Sequence, residues 1–183
     1  AAGSRDESQR ALLAAALVAR GMTAADTEVA SIPVVILCGG RGVRMGEATN
    51  LRPKPLVEVG GRPILRHLMQ LYARHGFRRF VLCLGYKGWL IEDYFSDHPP
   101  PPDWEIVFAD TGESAMTGAR VRRVARYLDA GCFMLTYGDA VADLDLGALL
   151  AFHRQHGRVG TVTAVSPPSQ FGELVLQGDA VRR

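Results

Sequence analysis

The chain has 183 residues, 48% of them hydrophobic, and a formal net charge of +2 from 21 basic and 19 acidic side chains. That length and apolar content suit one domain with a sizeable core. The near balance of charge, without a long basic stripe, speaks against a nucleic acid partner, and no apolar stretch is long enough for a membrane span.

The first 31 residues stand apart. Ser8 to Arg20 reads as an Ala/Leu-rich helix with Gly21 as its end signal. Asp6 and Glu7 precede the apolar run and no small-x-small cleavage site follows at a sensible distance, so a signal peptide is disfavoured. Met22 is a candidate start. Residues 1–31 are therefore expected to be an extension, helical or partly disordered, with the domain proper spanning 32–183.

The domain opens on its most informative run, Val34-Val35-Ile36-Leu37-Cys38-Gly39-Gly40-Arg41-Gly42-Val43-Arg44-Met45. An apolar strand leads straight into three glycines and two arginines. Glycines let backbone N–H groups approach an anion closely, and arginines add forked, fixed charge. Downstream, Arg52-Pro53-Lys54-Pro55 places a lysine between two prolines, which present its ammonium at little entropic cost. Glycine loop plus prepositioned lysine reads as a nucleoside triphosphate site. It is not a Walker A loop, because no Gly-Lys-Ser or Gly-Lys-Thr occurs. It is not a dinucleotide fingerprint either: Gly40 and Gly42 fit, but the third position falls on Met45. A plain surface turn would explain the glycines but not two arginines and a Pro-flanked lysine.

Strands and helices then alternate. Leu56–Val59 is short and extended. Pro63 starts a helix whose apolar face is Ile64, Leu65, Leu68, Leu71 and Tyr72, ended by Gly76. Phe80–Leu84 is a strand closed by Gly85, Trp89 to Phe95 a short helix, and Trp104–Ala109 a strand. Val121, Val124, Ala125 and Leu128 make the stripe of the next helix. Cys132–Thr136 is a strand ending in Tyr137-Gly138-Asp139. Asp145 caps a helix that runs through His156 to Gly157. Val159–Val165 and Glu173–Leu176 read as further strands. This alternation implies crossover units and a mostly parallel sheet in an α/β fold. Ligands of such sheets bind beyond the carboxyl ends of strands, where both the glycine loop and Tyr137-Gly138-Asp139 fall.

A carboxylate at Asp139 can hold Mg²⁺, a hard cation that combines carboxylate, phosphate and water oxygens, or it can cap the following turn. Asp143 is as readily a solvated loop residue. Thr117, in Met116-Thr117-Gly118-Ala119-Arg120, either lines an anion site with Arg120 or caps a helix beside a solvated arginine; spacing leaves both open. His153 and His156 lack a third ligand and read as surface residues. Cys38, Cys83 and Cys132 lie in apolar runs and are odd in number, which reads as buried free thiols in a reducing cytoplasm.

Leu37-Cys38-Gly39-Gly40-Arg41-Gly42, Arg52-Pro53-Lys54-Pro55-Leu56-Val57-Glu58-Val59-Gly60-Gly61, Leu84-Gly85-Tyr86-Lys87-Gly88, Asp110-Thr111-Gly112, Met116-Thr117-Gly118 and Tyr137-Gly138-Asp139 together resemble the sugar-phosphate nucleotidylyltransferases. The later segments, with Ala142-Asp143-Leu144-Asp145 and Phe152-His153, resemble the glucose-1-phosphate cytidylyltransferase branch. The resemblance implies a three-layer Rossmann-like nucleotidyltransferase fold with helices on both faces of the sheet. It implies that Leu37, Cys38, Gly39, Gly40, Arg41, Gly42, Val43 and Arg44 wrap the nucleotide, that Thr117, Arg120 and Gly138 line its pocket, and that Lys54 contacts phosphate. Asp139 would bind Mg²⁺, and Arg44, Lys54 and Asp139 would be the catalytic set. The implied reaction joins CTP, or another nucleoside triphosphate, to a sugar 1-phosphate.

Three departures accompany the resemblance. Val43 stands where the family usually has threonine. Ala140 replaces a usual glycine after Asp139. The sequence stops at Val181-Arg182-Arg183, before the family's Glu-Lys-Pro segment, its further sugar contacts and its second metal aspartate, so the expectation is a nucleotide-binding part lacking the C-terminal sugar-binding part. UTP, dTTP or GTP use, and a nucleotide-binding regulatory module without turnover, are the competing readings. Self-association into a homo-oligomer is compatible with the pattern, which does not set a copy number.

Overall fold

The computed structural model describes residues 23–40, 52–128, 131–165, 176–177 and 180–181. The chain divides into two compact units, one reaching to Leu146 and one starting at Gly147. The first opens on α1 (Ala24–Ser31), which the sequence reading set aside with the extension. Thr23 caps it: its hydroxyl accepts from Asp26 N–H while the Asp26 carboxylate accepts from Thr23 N–H, a reciprocal box with Asp in place of the usual Glu. Ala30 is fully buried, and Val29 lies against Gly76. Residues 24–31 thus pack as part of the domain; the expected helix at Ser8–Arg20 lies outside the described residues.

Next come β1 (Pro33–Leu37), a 3-10 turn at Lys54–Leu56, the short antiparallel pair β2 (Glu58–Val59) and β3 (Arg62–Pro63), α2 (Ile64–Arg74), β4 (Arg79–Leu84) and α3 (Gly88–Asp97). They are followed by β5 (Glu105–Asp110), α4 (Thr117–Arg123), a second 3-10 turn at Ala125–Tyr127, and β6 (Met134–Tyr137). The main sheet is parallel throughout, in the order β5-β4-β1-β6. Every residue of β1 and β4 is buried, which is why β1 and, beyond Arg79, β4 are continuous apolar runs rather than alternations.

Helices cover both faces of the sheet. Val35, Leu37, Val81, Cys83 and Ala109 share one face and pack with Val121 and Val124 of the α4 region, and with Tyr127 and Leu128 beyond it. On the other face Phe95 of α3 meets Phe108 at 5.8 Å, and the Tyr72 hydroxyl of α2 bonds Thr136 of β6. Arg66 of α2 lies 5.2 Å from the Trp104 ring, which in turn packs 5.0 Å from Phe80. Each large side chain buried this way contributes about 1.5–3 kcal/mol. The expected three-layer α/β fold is the one observed. The long helix expected through Leu128 is instead α4 followed by the 3-10 turn.

The second unit contains α5 (Leu146–His156) from its second residue on, and the antiparallel pair β7 (Leu176–Gln177) and β8 (Ala180–Val181). Gly157 follows α5 at φ 61°, the left-handed stop that glycine permits. His153 Nδ1 and His156 Nε2 both reach Thr161 Oγ1, at 2.9 and 2.7 Å, so these half-buried rings hold the returning chain rather than stand free on the surface. The expected strand Val159–Val165 is not formed: this stretch has no ladder partner among the described residues, and Val159, Val162 and Val165 are exposed. Alternating β-branched residues favour a strand only where a neighbouring strand supplies hydrogen bonds and packing. Of the expected strand Glu173–Leu176, only Leu176 lies among the described residues. No helix among these residues is long and apolar enough to cross a membrane.

Candidate nucleotide site

The sheet order sets where a site can form. The chain steps outward from β1 to β4 to β5, then returns to the opposite side of β1 as β6. The strand order therefore reverses at β1, between its neighbours β4 and β6, and that switch point opens a crevice at the carboxyl ends of β1 and β6. A cavity of about 350 Å³ lies there. It is lined by Leu37, Cys38, Gly39 and Gly40 after β1, Lys54 and Pro55 of the 3-10 turn, Ala115, Met116, Thr117 and Arg120 at α4, and Tyr137 and Asp139 after β6.

The Pro-flanked lysine is presented as its sequence implies. Pro53 is extended at φ −65°, and Leu56 N–H and Val57 N–H close the turn onto the Pro53 and Lys54 carbonyls at 2.9 Å each. Lys54 Nζ then reaches across the cavity to within 3.8 Å of Asp139 Oδ2. A cation suited to phosphate and a carboxylate suited to a hard metal ion share one space. Among the described residues no group of three or more His, Cys, Asp or Glu side chains converges on a metal position. Asp139 alone fits Mg²⁺, which is commonly bound by one or two carboxylates and completes its shell from substrate phosphates and water.

The glycines have separate jobs. Gly40 is exposed and lines the cavity, and a Cβ there would meet none of the described residues within 4 Å, so on that side its backbone is open to a ligand. Gly39 is glycine for another reason: a Cβ would sit 2.0 Å from Arg120 Nη1. Gly138 is not on the cavity wall but behind it. Its N–H donates to Leu37 O at 3.0 Å, and a Cβ would fall 2.8 Å from Cys38 Sγ and 3.2 Å from Pro55 Cγ. It is the spacer that lets β1, the lysine turn and Asp139 approach one another.

Arg120 is 5% exposed and lines the cavity with its guanidinium engaged by protein acceptors. Its Nη1 donates to Leu84 O and Thr111 Oγ1, at 3.0 and 2.7 Å, and its Nη2 to Gly39 O and Glu113 O, at 3.0 and 3.1 Å. Cys38 is buried at the cavity floor, and burial, reinforced by Cys83 and Asp139, pushes its thiol far above the ordinary range. It therefore contributes shape, not a nucleophile. Thr117 lines the cavity at the first residue of α4. Arg41, Gly42, Val43 and Arg44 lie outside the described residues.

Sequence reasoning missed Ala115, Met116, Pro55 and Tyr137 as wall residues, and the buried Thr111 behind them. Tyr137 had a signal: it is a large aromatic at the last position of a strand, and it is 57% exposed. Thr111 had one too, as the first polar residue past β5, but its partner Arg120 could not be read from local spacing.

Residues 34–182 match the model of the MobA-like NTP transferase domain. The chain is 44% identical to the glucose-1-phosphate cytidylyltransferase of Salmonella typhi, over 81% of this chain and 66% of that protein. It is 40% identical to the probable glucose-1-phosphate cytidylyltransferase of Bacillus subtilis, over 78% and 64%. The chain thus spans slightly less than two thirds of these relatives. Among solved structures, HddC from Yersinia pseudotuberculosis complexed with GMP-PN superposes with a TM-score of 0.60 at 30% identity, over 67% of this chain and 54% of that one. UDP-glucose pyrophosphorylase complexed with UDP-glucose shares the fold, with a TM-score of 0.57 at 12% identity, over 69% and 54%.

Proposed function

Because the chain belongs to the MobA-like NTP transferase domain family, we propose that it forms the nucleotide-binding part of a Mg²⁺-dependent sugar-1-phosphate cytidylyltransferase. The proposed reaction takes CTP and glucose 1-phosphate to CDP-glucose and pyrophosphate, in the cytoplasm. The observation that carries the proposal is the opposition of Lys54 and Asp139 across one cavity at the sheet reversal. The choice of cytidine and glucose is supported by the 44% identity to a glucose-1-phosphate cytidylyltransferase.

In this reading a phosphate oxygen of the sugar 1-phosphate forms a bond to the α-phosphorus of CTP. The bond from the α-phosphorus to the bridging oxygen breaks, and its electron pair leaves with pyrophosphate. Such a transfer asks mainly for positioning and charge compensation. Lys54 offsets charge on the triphosphate, and its proline-bounded turn limits the freedom it loses in doing so. Gly40 gives the phosphates an open backbone, and Thr117 offers a hydroxyl on the facing wall. Arg44, expected from the family motif, would add a second cation. Bound Mg²⁺, held by Asp139 with phosphate oxygens and water, would supply further charge stabilisation on the triphosphate.

A guanylyl-transferring reading has its own support: 32% identity to the mannose-1-phosphate guanylyltransferase catalytic subunit beta of Danio rerio, and the GMP-PN complex of HddC. Pyrophosphate release with CTP, UTP, dTTP and GTP, each paired with glucose 1-phosphate and mannose 1-phosphate in the presence of Mg²⁺, separates them. CTP with glucose 1-phosphate is expected to be fastest. A faster reaction with GTP would transfer the assignment to the guanylyl reading. Nucleotide binding without release from any pair would favour the regulatory module.

A further inference from the structure

We propose that Arg120 is a positioning residue: it straps the two walls of the cavity together through protein acceptors and does not itself hold the nucleotide's phosphates. The inference rests on the nucleotide reading of the cavity and departs from the direct contact that the family resemblance implies for this arginine.

The strap is complete. A guanidinium carries four Nη hydrogens, and four acceptors take them: Leu84 O, Thr111 Oγ1, Gly39 O and Glu113 O. Leu84 ends β4, Thr111 follows β5, and Gly39 follows β1 and belongs to one cavity wall. Glu113 begins the segment that reaches the other wall at Ala115 and Met116. One side chain therefore ties three strand ends to the opposing loop.

The surroundings are shaped for it. A Cβ at Gly39 or Gly85 would lie 2.0 or 2.6 Å from Arg120 Nη1, so both glycines clear the guanidinium's path. Thr111 is 1% exposed and donates its own hydroxyl proton to Leu84 O at 2.6 Å, which leaves its oxygen to accept from Arg120. Arg123 also donates to Thr111 O and holds that residue from the other side. A phosphate oxygen that captured an Nη group would leave a buried carbonyl without this donor, a cost comparable to the bond gained. Lysine cannot substitute, because its three donors radiate from one nitrogen and cannot span four separated acceptors.

Thr111 makes the proposal testable, since it is part of the strap and does not line the cavity. Calorimetric titrations of CTP, CDP and CMP would be run on the wild type, Arg120→Lys, Thr111→Val, Thr111→Ser and the Arg120→Lys/Thr111→Val pair. The strap predicts that Arg120→Lys weakens all three ligands by a similar factor, about tenfold. Thr111→Val should weaken them in the same pattern, Thr111→Ser should restore binding, and the pair should be no weaker than Arg120→Lys alone. A loss that grows from CMP to CTP, or wild-type binding by Thr111→Val, would overturn the strap in favour of direct phosphate contact. Amide hydrogen exchange without ligand gives an independent readout. Peptides covering Gly39–Gly40 and Glu113–Thr117 should both exchange faster in Arg120→Lys and Thr111→Val, and unchanged exchange would overturn the strap. If the wild type binds none of the three nucleotides, the nucleotide reading fails, and exchange still decides the strap.

Discussion

Lys54 Nζ lies 3.8 Å from Asp139 Oδ2, so a cation suited to phosphate and a carboxylate suited to a hard metal ion face each other in one cavity. Lys54 is mostly buried and Asp139 is partly exposed, at 18% and 38% of their side-chain surfaces. Under the proposed function, each group would compensate the other's charge before nucleotide and metal ion bind.

That pairing makes nucleotide-free metal binding a competition with the ammonium. A partly exposed pair of this kind is worth roughly 0.5–1 kcal/mol. Lys54→Met should therefore tighten Mn²⁺ binding to the nucleotide-free protein by about two- to fivefold, as read by electron paramagnetic resonance. Unchanged Mn²⁺ affinity would mean that the lysine does not hold the carboxylate.

Gly138 and Gly40 should respond differently to an added methyl group. Gly138→Ala puts a Cβ 2.8 Å from Cys38 Sγ and 3.3 Å from Leu37 O. Overpacking there should cost about 1–3 kcal/mol in urea denaturation and shift Lys54 relative to Asp139. Gly40→Ala meets none of the described residues within 4 Å and should leave stability nearly unchanged while weakening nucleotide binding. Equal stability loss in the two variants would contradict the division of roles.

At the opposite end of the sheet, Arg79 Nε pairs with Glu105 Oε1 at 3.2 Å, and both side chains are buried. Removing one partner of such a pair leaves the other charge buried and typically costs about 3–5 kcal/mol. Arg79→Met should show that loss in chemical denaturation. Nucleotide affinity, measured well below the denaturation midpoint, should stay at the wild-type value.

Burial pushes the Cys83 thiol up to about 11 from its usual 9.0. A raised acid stabilises the fold only while it stays protonated in both states. Its contribution is complete below pH 9 and is lost as the pH climbs from 9 through 11, because the unfolded chain sheds the proton first. Stability should fall more steeply over that window in the wild type than in Cys83→Ala. Parallel slopes would show that the thiol is not held protonated.

What was legible in the sequence follows from range. The continuous apolar runs of β1 and β4 announced strands buried on both faces, and the glycine loop and Tyr137-Gly138-Asp139 announced strand ends. Lys54 was legible because its two prolines act on it directly. The link from Arg120 to Gly39 spans 81 residues, and no local pattern carries it; the loop glycine therefore read as an anion contact when its packing reason is a buried guanidinium. The stretch Val159–Val165 failed in the opposite sense. Its local pattern was strand-like, but a strand needs a ladder partner, and these exposed valines have none among the described residues. Thr23-Ala24-Ala25-Asp26 carries a short-range capping signal, but reading the first 31 residues together as an extension left it unused.

Under the proposed function, the cavity between β1 and β6 takes a nucleoside triphosphate whose phosphates face Lys54 and whose Mg²⁺ would be held by Asp139. The most direct measurement is calorimetric CTP binding with and without Mg²⁺, in the wild type, Lys54→Met and Asp139→Asn. Mg²⁺ should tighten CTP binding in the wild type, and Lys54→Met should weaken binding about tenfold or more, the scale of a charged hydrogen bond. Asp139→Asn should abolish the gain from Mg²⁺. CTP affinity and Mg²⁺ dependence that survive both substitutions would contradict the proposed function.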